Sequence, residues 1–213
     1  MQDLTSPPAD TAPTRISPTD RIAPLRLYVR AMTELVAAPR DEAALLAAAR
    51  PLLATLIADD GWLAPEFAEA APDTYRQYLL HCDPLERFSV VSFVWGPGHL
   101  TPVHDHTVWG LVGVLRGAEC CVEYARTGDR VEATGQEHLM QAGDIDAVSP
   151  RIGDWHVVSN ARSDGASVSI HVYGGNIGAI SRHRVDPATG RIVEFISGYS
   201  SSRVPNLWDR SRG

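Results

Sequence analysis

The sequence predicts a mainly β domain, a closed barrel or two-sheet sandwich, behind an α-helical preface. Two observations carry this. Between Pro24 and Leu56 apolar residues recur at helical spacing, and after Pro72 short β-branched and aromatic segments alternate with turn residues. A run of helices followed by a run of strands, with no repeat at solenoid or propeller periods, is an α+β layout within one domain. Residues 1–22 are rich in Pro, Thr, Ser and Asp and are expected to form a disordered or extended tail. Residues 23–213 are then a single domain, with a helical part over 23–72 and a β-barrel over 73–213.

Each element has a local reason. Leu25, Val29, Met32 and Val36 define a first helix that Pro39 stops. Asp41 can cap a second, whose apolar side carries Leu45, Leu46, Ala49, Leu52, Leu53 and Leu56; Pro51 is expected to kink or split it. Residues 65–71 can add a further helical turn. Strands are expected at Tyr75–His81, Phe88–Trp95, Trp109–Arg116, Glu119–Ala125, Asp146–Ser149, Trp155–Ser159, Ser167–Tyr173 and Ile192–Phe195. Turn pairs such as Pro97-Gly98, Gly128-Asp129, Gly143-Asp144 and Thr189-Gly190 separate them.

Composition excludes several classes. The 213 residues carry 19 Lys plus Arg against 26 Asp plus Glu, a net charge of −7, which argues against binding nucleic acid or an anionic membrane. The most apolar stretch, Ala43 to Ala58, is interrupted by Arg50 and Pro51 and is too short to span a bilayer. The first residues lack the basic start and apolar run of a secretory signal. Cys82, Cys120 and Cys121 make neither a disulfide framework nor a zinc spacing, and read as buried thiols of a reducing, cytoplasmic compartment.

Chemistry concentrates in three places. Gly98-His-Leu-Thr-Pro-Val-His104-Asp-His106-Thr-Val-Trp-Gly110, closing at Gly117, places two imidazoles at i and i+2. On a strand these face one way and can share a metal; alone, the pair is equally compatible with exposed strand histidines. Gly143-Asp-Ile-Asp-Ala-Val-Ser-Pro150 followed by Gly153 and His156 marks a turn, a strand and a second turn. Ser169-Ile-His171-Val-Tyr173 alternates polar with apolar residues, so three polar groups share a strand face.

The first two constellations resemble the two cupin motifs. The spacing fits the first motif except that Gly110 stands where Glu is usual, and the second carries one extra residue between Pro150 and Gly153. The resemblance implies a cupin double-stranded β-helix (jelly-roll barrel) with an N-terminal α-helical cap, in which His104, His106 and His156 hold one metal ion. Beside such a site, Ser169, His171 and Tyr173 resemble the outer triad of the cysteine dioxygenase family of thiol dioxygenases. That family resemblance, over about Thr74–Arg184, implies one Fe(II) per chain and oxidation of a small thiol by O2 to the sulfinic acid.

The finer resemblance concerns the substrate. Family members acting on cysteine commonly carry Tyr-x-Arg on the first barrel strand; here Gln77 stands at that Arg, and Gly110 at the crosslinking Cys of the mammalian type, so no crosslink is expected. The bacterial branch acting on 3-mercaptopropionate is similar, with Arg at the position of Arg182 and Gln at that of Gln77. This implies a substrate carboxylate held by Arg182, with help from Gln77, and 3-mercaptopropionate as substrate. Cysteine and mercaptosuccinate are the alternatives within the chemistry. A metal-dependent isomerase or hydrolase and a non-catalytic small-molecule-binding cupin are the alternatives outside it. His81, His99, His138 and His183 are expected at the surface or in turns, and Trp95, Trp109 and Trp155 in the barrel wall, the last two adjoining the ligand strands and able to line the pocket.

Overall fold

The structure, a computed structural model, describes residues 21–208. Two helices come first, α1 (Ala23–Ala37) and α2 (Glu42–Ile57), then a 3-10 turn at Pro65–Phe67. Ten strands follow among the described residues. They are β1 (Arg76–Cys82), β2 (Ser89–Trp95), β3 (Gly110–Arg116), β4 (Ala118–Thr127), β5 (Arg130–Gln141), β6 (Ile145–Val148), β7 (Trp155–Asn160), β8 (Ser167–Tyr173), β9 (Arg182–Val185) and β10 (Ile192–Phe195). Five form one antiparallel sheet in the order β1-β2-β8-β3-β6; three form a second in the order β5-β4-β7; β9 and β10 are a hairpin. This is the mainly β cupin barrel with N-terminal helices that the sequence predicts.

The helices form for the expected reasons. Leu25, Tyr28, Val29 and Met32 give α1 one buried stripe. The Asp41 carboxylate accepts from the Ala44 N–H at 2.8 Å and caps α2. Pro51 lies inside α2 without splitting it. Pro51 and Ala47 are both exposed, so the carbonyl that loses its donor meets water. The expected tail lies outside the described residues except for Arg21 and Ile22, and the Ile22 carbonyl already accepts from Arg26 N at 3.0 Å.

The five-stranded sheet is buried on both faces. Every residue of β2 and of β8 is buried. One face (Val90, Val94, Leu111, Val168, Ile170, Val172) packs on Leu25, Met32, Leu53 and Leu56 of the helices. The other face carries Val91, Phe93, Trp95 and Tyr173, which meet Val148 and Val158 inside the barrel. Gly113 on β3 marks the close approach of α2, since a Cβ there would lie 2.9 Å from Ile57 Cδ1 and 3.2 Å from Leu53 Cδ2.

Two strands were not expected. β5 is a long edge strand, paired only with β4, and mostly exposed on both faces. With no buried face it has no alternation to read. β9 is four residues, Arg-His-Arg-Val, and pairs with β10. The thiols also differ from expectation: Cys121 is buried, but Cys82 and Cys120 are partly exposed. No described helix is long and apolar enough to cross a membrane.

Leu53 is fully buried between the helices and the sheet. Leu53→Ala is expected to cost about 2–5 kcal/mol of stability. In urea unfolding this appears as a lower midpoint at unchanged slope.

Candidate metal centre

His104 and His106 do not lie on a named strand. They sit in the connection between β2 and β3, where His104 makes isolated bridges to His156 of β7 and to Arg184 of β9. His104 and His156 exchange backbone hydrogen bonds of 3.1 and 3.0 Å. The segment is therefore extended only locally, which suffices to put both imidazoles on one side. Thr107 then turns the chain with a φ of 60°.

The three rings form a nearly equilateral triangle. Centroids of His104, His106 and His156 lie 4.8–4.9 Å apart, and one ring nitrogen from each falls within 4.8 Å of the others. Hydrogen bonds fix which nitrogen that is. His104 Nδ1 donates to the Pro102 carbonyl at 3.0 Å and His106 Nδ1 to Asp154 Oδ1 at 2.9 Å; His156 Nδ1 faces Cys121 Sγ at 3.4 Å. All three Nδ1 atoms are engaged away from the centre, leaving the Nε2 atoms as metal donors. Burial, with repulsion from His106 and Arg182, pushes His104 down to about 3. Burial and the neighbouring histidines hold His156 well below its ordinary range. Two ligands are thus neutral at neutral pH, as coordination requires. The donor set, three buried imidazoles, fits Fe(II), Zn, Ni or Cu.

Gly110 explains the missing Glu of the motif. It pairs with Tyr173 across β3 and β8, and a Cβ at Gly110 would lie 2.7 Å from Tyr173 Cδ1. The Tyr173 ring occupies the space a longer side chain would need. That ring stacks on His106, with centroids 5.2 Å apart.

Ser169, His171 and Tyr173 point inward from β8 and touch in sequence. Ser169 Oγ lies 2.8 Å from His171 Nε2, and His171 Nδ1 lies 2.8 Å from Tyr173 Oη. Trp95 Nε1 donates to Ser169 Oγ at 3.2 Å. Indole is a donor only, and burial holds His171 well below its ordinary range, hence neutral. The chain of donors then runs from Trp95 through Ser169 and His171 to Tyr173, whose own proton is free to point into the cavity. Burial raises the Tyr173 phenol above its usual range, so that proton stays in place.

A cavity of about 400 Å³ opens over this centre, and no Asp or Glu lines it. Arg182 does, at 4% exposure. Its guanidinium lies 4.7 Å over the Phe195 ring and donates from Nη2 to Ser197 Oγ at 2.6 Å, while Nε has no partner. No carboxylate among the described residues lies within ion-pair distance of it. Gln77 is buried in the same wall; its side-chain amide donates to the Gly198 carbonyl, leaving one N–H and the carbonyl oxygen.

Sequence reasoning missed the residues that hold these groups. Asp154 accepts from His106 N at 3.1 Å and Thr107 N at 2.9 Å as well as from the His106 ring. Burial opposes its charge, but these hydrogen bonds prevail and hold its carboxyl below the usual range. Asp105, between the two ligands, accepts from His183 N at 2.7 Å and pairs with its Nδ1 at 2.8 Å. That ties the metal segment to β9, which carries Arg182. His183 is thus a clamp rather than a free surface histidine. The signal was a carboxylate beside each His ligand. Glu119 had no such signal: fully buried, it accepts from Ser167 Oγ at 2.8 Å, and its other oxygen has no partner. Trp95 lines the cavity; Trp109 packs against the helix-side core and Trp155 stacks near His183, so neither lines it.

The fold and the centre together define a cupin barrel with a three-histidine candidate metal site beneath a cavity lined by a buried guanidinium. The model of the family "Cysteine dioxygenase type I" matches residues 55–185, well over half of the chain and including every residue named above as ligand, triad or guanidinium. The chain belongs to the cysteine dioxygenase type I family, the cupin thiol dioxygenases. Solved structures similar to it include a double-stranded β-helix protein of Klebsiella pneumoniae, at 19% identity over 54% of this chain and 89% of that one, with a TM-score of 0.43. A cupin superfamily protein of Desulfitobacterium hafniense matches at 14% identity over 58% and 88%, with a TM-score of 0.40. A Cupin 2 conserved barrel domain protein of Salinispora arenicola matches at 19% over 54% and 86%, with a TM-score of 0.40.

Two outcomes follow from the geometry. Asp154→Asn keeps the side-chain shape but loses the charge that orients His106; metal affinity is expected to fall roughly 10–100-fold in a chelator competition. Burial raises the Glu119 carboxyl to about 7. A raised carboxyl binds its proton more tightly folded than unfolded, so its contribution to stability is full below about pH 4.5 and is lost as pH rises through about 7. The loss amounts to about 3 kcal/mol. Glu119→Gln is expected to remove that part of the pH slope in urea unfolding compared between pH 5 and pH 8.

Proposed function

We propose that this chain is a mononuclear non-haem Fe(II) dioxygenase that converts 3-mercaptopropionate and O2 into 3-sulfinopropionate. The observation that carries the substrate is Arg182: a buried guanidinium with an unpaired Nε, in the cavity above the three histidines, with no acid lining that cavity. Such a group is costly to bury unless an anion completes it. A planar carboxylate suits its Nε edge. The absence of an acid leaves an α-ammonium without a counter-charge, which favours a substrate lacking the amine.

His104, His106 and His156 would hold the iron. When bound, Fe(II) lowers the pKa of a ligated thiol and supplies the electrons that activate dioxygen. The chain's own residues do the rest. Arg182, braced by Phe195 and Ser197, fixes the carboxylate and so places the thiol over the histidines. Gln77 supports the same carboxylate with its remaining N–H. Tyr173, ordered through His171 and Ser169, presents a hydroxyl proton to the sulfur or to the oxygen being transferred. Phe93 stacks on His171 at 4.1 Å and, with Tyr75 and Trp95, keeps the wall around the relay apolar.

The direct test is O2 uptake and sulfinate formation by the iron-loaded protein, with 3-mercaptopropionate and L-cysteine offered separately. A clear preference for 3-mercaptopropionate is expected; a preference for cysteine overturns the substrate. Arg182→Ala removes charged hydrogen bonds worth about 1.5–3 kcal/mol, so KM is expected to rise roughly 10–100-fold at unchanged iron content. Loss of iron instead overturns the role given to Arg182.

A further inference from the structure

On the Nδ1 side of His156 lies a second group of donors that the cavity does not use. Cys121 and Cys120 point to opposite faces of β4. Cys121, 2% exposed, turns inward beneath His156. Its ladder partner on β5 is His138, and β6 brings Asp146 across the opening between the two sheets. His138 Nε2 lies 3.1 Å from Asp146 Oδ2, and its Nδ1 lies 3.9 Å from Glu123 Oε1. One ligand atom each from Cys121, His138 and Asp146 falls within 4.8 Å of the other two. A small cavity of about 80 Å³ is lined there by Cys121, Glu123 and Asp146.

We propose that Cys121, His138 and Asp146 form a second metal site, separate from the three-histidine centre, for a divalent ion of intermediate softness such as zinc. Sulfur, imidazole and carboxylate on one ion is the donor set of zinc and its neighbours, and it excludes Mg²⁺ and Ca²⁺, which take oxygen. Zn–S of about 2.3 Å and Zn–N or Zn–O of about 2.0 Å put tetrahedral donors roughly 3.2–3.8 Å apart. The observed spacing needs only a small closure of His138 and Asp146, whose side chains are 37% and 35% exposed, onto the buried sulfur of Cys121. A water or Glu123 completes the shell. As the sulfur–metal bond forms, the thiol proton passes to water and no electron moves.

Charge separates the two sites. The three-histidine centre offers imidazoles, with Arg182 nearby, whereas the second has Asp146, Glu123 and the thiolate to offset a divalent ion. They meet at one contact, since His156 Nδ1 faces the sulfur that the second ion would take. The inference does not depend on the proposed substrate or on iron.

The test is titration of the metal-free full-length protein with Co(II), which reports thiolate ligation as a sulfur-to-cobalt charge-transfer band in the near ultraviolet. The intact protein is expected to take two equivalents and to show the band. Cys121→Ser should lose the band and keep one equivalent. His104→Ala should lose the other equivalent and keep the band, which guards against a misfolded Cys121 variant. His138→Ala should weaken the band-forming affinity at least tenfold. A single equivalent, no thiolate band in the intact protein, a band that survives Cys121→Ser, or one that disappears in His104→Ala would each overturn the site.

Discussion

The centre depends on β8 being buried on both faces. A strand sends alternate side chains to opposite sides. In β8 one set, Val168, Ile170 and Val172, belongs to the core under the helices, and the other, Ser169, His171 and Tyr173, faces the barrel interior. A one-residue slip would put three polar groups into the helix-side core and three aliphatic ones beside the histidines. The helical cap therefore sets the register of the relay. It touches no ligand, yet Leu25, Met32 and Leu53 make the register of β8 costly to change. An antiparallel sheet with one wet face could not do this, because its polar alternates would be free to face water.

What β8 does for the relay, two carboxylates do for the ligands. His104 and His106 lie in a connection rather than on the sheet, so the ladder alone does not hold them. Asp154 gathers His106 and Thr107 from one side, and Asp105 gathers His183 from the other. The second bond reaches further than it first appears. His183 neighbours Arg182, so the residue between two metal donors also sets where the guanidinium sits. The three-histidine cluster and the Arg182 guanidinium are thereby held by one short network instead of by two independent loops.

The sequence carried the donors and the barrel but not the supports, and the division is physical. The His104–His106 pair and the Ser169–Tyr173 alternation follow from spacing along the chain, and His156 from the resemblance to the second cupin motif. Element type for α1, α2 and the buried strands follows from periodicity that burial enforces. β5 was unreadable because neither of its faces is consistently buried, and β9 because four mostly charged residues have no pattern. Glu119 was unreadable for another reason. Its hydrogen-bond partner, Ser167 on β8, is distant in sequence, and an acid at full burial contradicts the rule by which one reads a strand. Gly110 was legible as a departure from the motif. Why it departs needed the Tyr173 ring.

That departure bears on charge. A Glu at Gly110 would give a bound metal an anionic ligand; its loss leaves three imidazoles and no carboxylate. On the reading proposed above, a divalent ion and the buried Arg182 then place three positive charges, beside those of Arg76 and Arg184 in the same wall, around a cavity with no acid in its lining. Burial of the histidines and of Arg182 makes that excess costly. A thiol carboxylate bound as its dianion supplies two negative charges at the two places where they are missing, sulfur at the metal and carboxylate at Arg182. On that reading the substrate offsets two of these positive charges, and the same balance disfavours a ligand that brings an ammonium group with it. Selectivity, in this view, comes less from the shape of a 400 Å³ cavity than from the acids the cavity lacks.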